Sequence, residues 1–172
     1  MYQFMLWFYI YSFLGWICET IYCSIPAKKF VKRGMIKGPI CPIYGFGALF
    51  VITLLDKYRG NIFIIFILGL IMTSILEFFT SFCLEKVFNR KWWDYSKNKL
   101  NIKGRVCLLN STMFGSLSVC LIEFIHPMIS MIIIEVPIYL LNKITRGILA
   151  IFIIDTGLTF LNLYKTRKEI LN

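Results

Sequence analysis

The sequence predicts an all-α fold, a polytopic bundle of transmembrane helices that forms a single integral membrane domain over residues 1–172. Two observations lead to this prediction. Hydrophobic residues make up 58% of the chain and charged residues only 16%, whereas soluble proteins average roughly half and a quarter. In addition, several apolar segments approach the length of about 20 residues that a helix needs to cross a bilayer. A multi-pass protein of a cell membrane is therefore expected, with the lipid bilayer as its main surrounding.

Four apolar segments are long enough to be full spans: Phe4 to Ile25, Ile62 to Phe82, Val106 to Ile125 and Gly147 to Tyr164. Two shorter stretches, Ile43 to Leu55 and Met128 to Leu141, are open to interpretation as short spans, half-helices or re-entrant pieces. We therefore expect five or six membrane segments, one or two of them short, broken or re-entrant. The first segment has no basic start and no small-residue cleavage site, so we expect it to be retained.

Basic residues crowd two of the loops. The first loop holds Lys28, Lys29, Lys32, Arg33 and Lys37, and the second holds a further group from Lys86 to Arg105. The positive-inside rule predicts that both loops are cytoplasmic, which places the N-terminus and the hairpin Asp56 to Asn61 outside. Six spans would put fourteen of the 19 basic residues inside. If Met128 to Leu141 is re-entrant instead, the C-terminal tail moves inside while Lys143 and Arg146 move out.

Composition also argues against several classes of function. The net charge of +10 is better explained by topology and anionic lipid headgroups than by a nucleic-acid partner. The six cysteines show no CxxC pair and no metal-ligand spacing, and we interpret them as small apolar side chains. No cofactor is expected. The chain has no G-x-x-x-x-G-K-[ST] phosphate loop, so it cannot itself be an ATP-driven motor.

Five of the nine acidic residues lie in or at the edge of apolar segments: Glu19, Glu77, Glu123, Glu135 and Asp155. Each costs roughly 2.5 kcal/mol or more near the bilayer centre, so such residues usually face the bundle interior or a wet cavity. No Lys or Arg lies in the same segments. A cationic partner must therefore reach in from a loop, or the carboxyl stays protonated. The alternative is that these carboxyls only hydrogen-bond to neighbouring helices.

The stretch from Arg33 to Gly47 reads R-G-M-I-K-G-P-I-C-P-I-Y-G-F-G and predicts an irregular backbone. Its glycines and prolines would destabilise a continuous helix, and irregular backbone at membrane depth must be satisfied by protein or by a wet cavity. Pro42 suits the first position of a helix, whose free N–H groups beside Arg33 and Lys37 would form an anion site. The alternative is a helical hairpin turn with snorkelling cations.

The second basic loop carries W-W-D-Y-S at Trp92 to Ser96, whose aromatic side chains suit a membrane interface. Asp94 is placed to pair with Arg33 or Arg105 across the cytoplasmic mouth. We predict that Glu19, Glu77, Arg33 and Asp94 form one connected polar site, with the two glutamates level in the bilayer. His126 precedes Pro127 and is interpreted as a residue of a short outer turn rather than as a proton relay.

Five runs in the sequence occur together, in order, from about residue 8 to residue 127: Y-S-F-L-G-W-I-C-E-T-I-Y (Tyr11 to Tyr22), F-V-K-R-G-M-I-K-G-P-I-C-P-I-Y-G-F-G (Phe30 to Gly47), L-E (Leu76 and Glu77), W-W-D-Y-S and G-R-V-C-L-L-N-S (Gly104 to Ser111). Together they resemble the CmpB-like family of ABC-transporter permeases, small polytopic membrane proteins of bacteria. The resemblance implies a transport subunit of a bacterial cytoplasmic membrane that works with a separate cytosolic ATPase.

The expected function is therefore that of a permease-type subunit that moves a small-molecule or lipid-like substrate. The predicted substrate-binding or transport residues are Glu19, Arg33, Glu77, Asp94, Arg105, Tyr44 and Asn110. The small size of the chain predicts a homo-oligomer or a partner subunit. Two alternatives are an intramembrane enzyme acting on a lipid-linked or phosphorylated substrate, with Arg33 and Arg105 holding phosphate, and a non-catalytic lipid-binding scaffold. No recognised catalytic motif supports the enzyme.

Overall fold

A computed structural model describes residues 2–171 and confirms the helical class, with 77% of the chain in helices. The elements in chain order are α1 (Tyr2–Ala27), α2 (Pro42–Leu55), α3 (Ile62–Phe88), β1 (Asn101–Ile102), β2 (Val106–Cys107), α4 (Leu108–Cys120), α5 (His126–Glu135) and α6 (Ile138–Leu171). The two short strands pair as an antiparallel ribbon. This ribbon in the second basic loop is the part of the architecture that the all-α prediction does not include.

Within the part of the chain that the structure describes, four helical stretches are long and apolar enough to cross a membrane: Tyr2–Ala27, Ile62–Phe88, Leu108–Glu135 and Ile138–Lys168. The expected count of five or six segments is not confirmed. Met128 to Leu141 is not a separate segment, because its first part belongs to α5 and its last part begins α6. The break falls at Val136 and Pro137, where proline cannot donate a helical hydrogen bond.

The interpretation of His126 as a turn residue is wrong. A π-helical turn over Leu121–Ile125 joins α4 directly to α5, and His126 continues this helix with φ −64° and ψ −42°. Proline inside a helix removes one hydrogen bond and clashes with the carbonyl four residues earlier. A wider π-helical turn can accommodate the missing hydrogen bond and the clash. Here the π-helical turn ends two residues before Pro127. The chain therefore passes through the proline without turning.

Contacts divide the chain into two compact units. Unit 1 contains the residues up to Phe46 and those from Val136 onward, and unit 2 contains Gly47–Glu135. In unit 1, α1 and α6 run in the same direction. The Phe152 ring lies 5.7 Å from the ring of Phe8, and Asp155, one turn further along α6, reaches a chain segment that lies beside the later turns of α1.

That segment, residues 31–41, lies antiparallel to α1 and contains no helix or strand. Near its start the Val31 N–H donates to Ser24 Oγ at 3.0 Å, and at its end the Cys41 N–H donates to the Ser12 carbonyl at 3.0 Å. Ser12 lies 15 residues before the end of α1, a rise of about 22 Å at 1.5 Å per residue. The segment therefore returns along α1 to about the middle of that helix, where α2 begins.

Unit 2 is built on close packing of α3 against α4. A Cβ added at Gly69 would lie 2.5 Å from the Cβ of Ser118, and the Ser74 hydroxyl donates to Ser111 Oγ at 2.7 Å. Small residues let two helix backbones approach closely, which favours packing inside a membrane where burial of apolar surface gives no advantage. These contacts hold together the two helices that flank the second basic loop.

Candidate transport site

The centre of the polar region in unit 1 is an ion pair between Glu19 and Arg33. Glu19 lies on α1, and Arg33 lies in segment 31–41. The Arg33 Nε and an Arg33 terminal nitrogen each lie 2.9 Å from Glu19 Oε1. The side chains are only 28% and 21% exposed, Arg33 first. The loop cation that the sequence requires for a membrane carboxylate is therefore supplied by Arg33.

Neighbouring contacts hold this pair in place. The Trp16 indole N–H donates to the Arg33 carbonyl at 3.1 Å, which ties the segment to α1 one turn before Glu19. The buried Cys41 thiol lies 3.8 Å from Glu19 Oε2. Tyr44, in the first turn of α2, packs directly over Gly15, where an added Cβ would lie 2.2 Å from the tyrosine ring. Tyr44 thus belongs to the same region as Glu19 and Arg33, whereas its role in substrate binding stays a prediction.

Asp155 on α6 is a member of this region that the predicted site omits. Its Oδ2 accepts a hydrogen bond from the Gly38 N–H at 2.6 Å. The sequence does flag Asp155 as an acid inside an apolar helix, but the contact joins residues 117 positions apart. No local pattern in the sequence relates the two.

In unit 2, two side-chain contacts fasten the second basic loop to α3. Glu77 is 5% exposed, and its Oε1 accepts a hydrogen bond from the Tyr95 hydroxyl at 3.0 Å. Arg105 lies 2.5 Å from Glu85 Oε2. The Arg105 carbonyl accepts a hydrogen bond from the Trp93 indole at 3.0 Å. Glu85 and Tyr95 are thus structural partners that the predicted site lacks.

The sequence predicts that Asp94 pairs with Arg33 or Arg105, and the Arg105 alternative is wrong, because Asp94 and Arg105 each have another partner. Asp94 Oδ1 accepts hydrogen bonds from the Ser96 backbone N–H at 2.9 Å and from its hydroxyl, and Asp94 Oδ2 lies 3.5 Å from the Lys91 ammonium. Hydrogen bonds from Ser96, with Lys91 nearby, hold the pKa of Asp94 below its usual range. An aspartate that bonds the backbone two residues on builds a turn, and this turn packs on Gly104.

The predicted residues thus fall into two groups. Glu19, Arg33 and Tyr44 lie together in unit 1. Glu77, Asp94 and Arg105 lie in unit 2, with Asn110 half-buried in the first turn of α4. The single connected site that would include members of both groups, with its two level glutamates, stays a prediction.

Long apolar helices with ion-paired and hydrogen-bonded carboxylates among them are typical of a multi-pass membrane protein. The chain belongs to the family described as "Putative ABC-transporter type IV", whose model matches residues 6–160. This match confirms the resemblance carried by the sequence motifs. Proteins of ABC-transporter families usually work with an ATPase subunit. Neither a curated protein nor a solved structure matches the chain significantly.

Proposed function

We propose that the chain is the permease-type subunit of an ABC-type system in a bacterial cytoplasmic membrane. It moves a small-molecule or lipid-like substrate and relies on a separate ATPase for energy. Family membership and the apolar helices support a transport protein. The proposal goes further and assigns the path of the substrate to the polar region around Glu19 and Arg33.

The observation that carries this assignment is the path of segment 31–41 beside α1. Irregular backbone at membrane depth persists only where protein or a wet cavity satisfies its polar groups. Secondary transporters commonly bind substrates and ions near the bilayer midplane, where helices are interrupted. Here the interruption precedes α2 and places the Glu19–Arg33 pair beside it. We infer that this interrupted crossing is the substrate path.

The shared direction of α1 and α6 supports five membrane crossings. The 14 residues of α2 rise only about 21 Å, less than the roughly 30 Å of a bilayer core. Segment 31–41 and α2 together suffice to complete one broken crossing. If segment 31–41 and α2 complete one crossing, α1 and α6 pass through the membrane in the same direction, in agreement with their contacts. If segment 31–41 and α2 do not complete a crossing, only four crossings remain, and α1 and α6 would pass through the membrane in opposite directions.

The contacts of the two arginines favour transport over the enzyme alternative. An intramembrane enzyme of the kind considered would use Arg33 and Arg105 to hold a phosphate group. Arg33 is instead paired with Glu19 and Arg105 with Glu85. A phosphate would have to displace a carboxylate from each guanidinium, and no separate observation favours that exchange.

The test is to purify the tagged full chain, after gentle solubilisation, from the cells that make it naturally. We expect an ATPase subunit to co-purify, identified by native mass spectrometry, and ATP hydrolysis to appear only where that subunit is present. The proposed docking surface is the second basic loop, whose exposed lysines include Lys97, Lys99 and Lys103. Replacing all three by glutamate should release the ATPase, because the charge of the surface is reversed.

Lys57→Glu is the matched control, since Lys57 is also exposed but lies in the hairpin between α2 and α3. It should retain the ATPase. Hydrolysis of ATP by the purified chain alone would refute the division of labour. Unchanged co-purification by the triple variant would refute the docking surface.

A further inference from the structure

Within the polar region of unit 1, Asp155 contacts segment 31–41 at Gly38, and the substrate path assigned to Glu19 and Arg33 gives this carboxylate no role. One carboxylate oxygen, Oδ2, accepts the Gly38 N–H. The other, Oδ1, accepts no hydrogen bond from the residues that the structure describes. A half-buried carboxylate with an uncommitted oxygen retains the capacity to bind a proton or a cation.

Two threonines next to Asp155 also have uncommitted oxygens. The Oγ1 atoms of Thr156 and Thr159 are shielded from solvent and have no hydrogen-bond partner among the described residues. Thr159 is only 5% exposed, and it lies one helical turn after Asp155, on the same face of α6. A buried hydroxyl without a partner is unfavourable, and its presence in a native structure calls for an unseen water or ion.

The backbone opposite Asp155 provides a third source of oxygen atoms. Gly38 and Pro39 lie in segment 31–41, outside any helix or strand. Their carbonyl oxygens are therefore not committed to a helical or sheet ladder. A side chain at position 38 would occupy this space, because an added Cβ would lie 2.8 Å from Asp155 Oδ2.

From this arrangement we propose that unit 1 binds a dehydrated monovalent metal cation between Asp155, the Thr159 and Thr156 hydroxyls and the carbonyl oxygens of residues 38 and 39. Carboxylate, hydroxyl and carbonyl oxygens are the ligands that hard cations prefer. In secondary transporters, unwound backbone carbonyls and helix ends coordinate sodium ions.

The charge of the ligand set selects a monovalent ion. Asp155 supplies one negative charge, which balances one positive charge. Divalent cations such as Ca²⁺ are usually held by several carboxylates, and no group of three or more His, Cys, Asp or Glu side chains suited to a metal occurs among the described residues. This binding site is independent of the proposed ATPase partner, so either proposal can fail without the other.

The experiment measures the thermal unfolding midpoint of the purified full chain in detergent as sodium or potassium chloride replaces choline chloride at constant ionic strength. Choline is too large for the site, so it reports the effect of salt alone. A cation that binds the folded state but not the unfolded state raises the unfolding midpoint as the cation concentration increases. We expect a rise of a few degrees with a concentration dependence that follows binding to one site.

Asp155→Asn retains an acceptor for the Gly38 N–H but removes the charge, and Thr159→Val removes only the hydroxyl. Both variants should lose the cation-dependent rise, whatever the value of their midpoint in choline. Thr145→Val is the matched control, because Thr145 is another buried α6 threonine without a hydroxyl partner among the described residues, ten residues from Asp155. It should keep the rise.

The proposal is overturned if neither sodium nor potassium differs from choline, or if the rise persists in Thr159→Val or Asp155→Asn. If Asp155→Asn does not fold, Thr159→Val decides the question alone. A transport assay has no part in this test, so its outcome does not depend on the identity of the substrate.

Discussion

Arg33 and Glu19 depend on each other, because each is only partly exposed and each is the charged partner of the other. Hydrogen bonds to charged groups contribute about 1.5–3 kcal/mol. We expect Glu19→Gln and Arg33→Gln each to lower the free energy of unfolding by about 1–3 kcal/mol. The double variant should lose less than the sum, because residues in direct contact couple. Chemical unfolding in detergent of the four proteins gives the coupling energy.

Glu135→Gln is a suitable control for this cycle. Glu135 also belongs to an apolar helix, but its side chain is exposed, so its neutral replacement should leave stability nearly unchanged. Membrane insertion should be normal in all variants, because removing a charge makes a segment more apolar. Additive losses for Glu19 and Arg33 would contradict the assignment of the pair.

At the scale of single residues, sequence reasoning identifies the kind of partner that a membrane carboxylate requires. A carboxylate in an apolar helix without cations requires a loop cation, and Arg33 meets that demand for Glu19. It fails for Asp94, because an aspartate near several cations has many possible partners. The choice among them is made by the local turn with Ser96, which the residue types alone do not reveal.

The packing of α2 against α1 depends on two glycines. A Cβ at Gly15 would meet the Tyr44 ring at 2.2 Å, and a Cβ at Gly45 would meet Ser12 Oγ at 2.2 Å and the Phe8 carbonyl at 2.6 Å. These glycines are needed for close approach, since contacts of that length cannot exist. They explain why the first turn of α2 lies directly against the middle of α1.

We therefore expect Gly15→Ala to destabilise the protein by about 1–3 kcal/mol, the usual cost of overpacking. Gly157→Ala on α6 is the control, because nothing lies within 4 Å of its added Cβ and alanine favours helix over glycine by about 1 kcal/mol in water. It should be neutral or slightly stabilising. The measurement is the free energy of unfolding in a detergent titration, and equal effects of the two substitutions would disprove the close contact.

At the scale of helices, hydropathy locates the long spans but not their ends or their irregular parts. Helix α3 extends to Phe88, six residues beyond the apolar segment. Charged residues such as Glu85 and Lys86 are compatible with a helical backbone, so the helix continues past the apolar residues. The π-turn at Leu121–Ile125 and the resulting continuity through Pro127 depend on backbone geometry. A proline in the sequence favours a break, and that preference is correct at Pro137 but wrong at Pro127.

The proposed membrane topology of the chain rests on a combination of charge and contacts. The distribution of charge alone does not decide on which side of the membrane the C-terminal tail lies, because six spans and five spans place the tail on opposite sides. In unit 1, α1 and α6 run in the same direction, which favours five crossings. Lys165, Arg167 and Lys168 then lie inside with the two basic loops. The basic residues left outside are Lys57, Arg59, Lys143 and Arg146, in agreement with the positive-inside rule.

This topology predicts which positions a membrane-impermeant thiol reagent reaches in intact cells. In a chain whose six native cysteines are replaced by serine or alanine, single cysteines are introduced as Lys32→Cys, Lys97→Cys, Thr166→Cys and Asn61→Cys. Only Asn61→Cys should be labelled from outside, and the other three should react only after the membrane is permeabilised. External labelling of Thr166→Cys would exclude five crossings. Labelling of positions 32 and 61 from the same side would show that segment 31–41 and α2 do not complete a crossing, and the proposed substrate path would be lost with it.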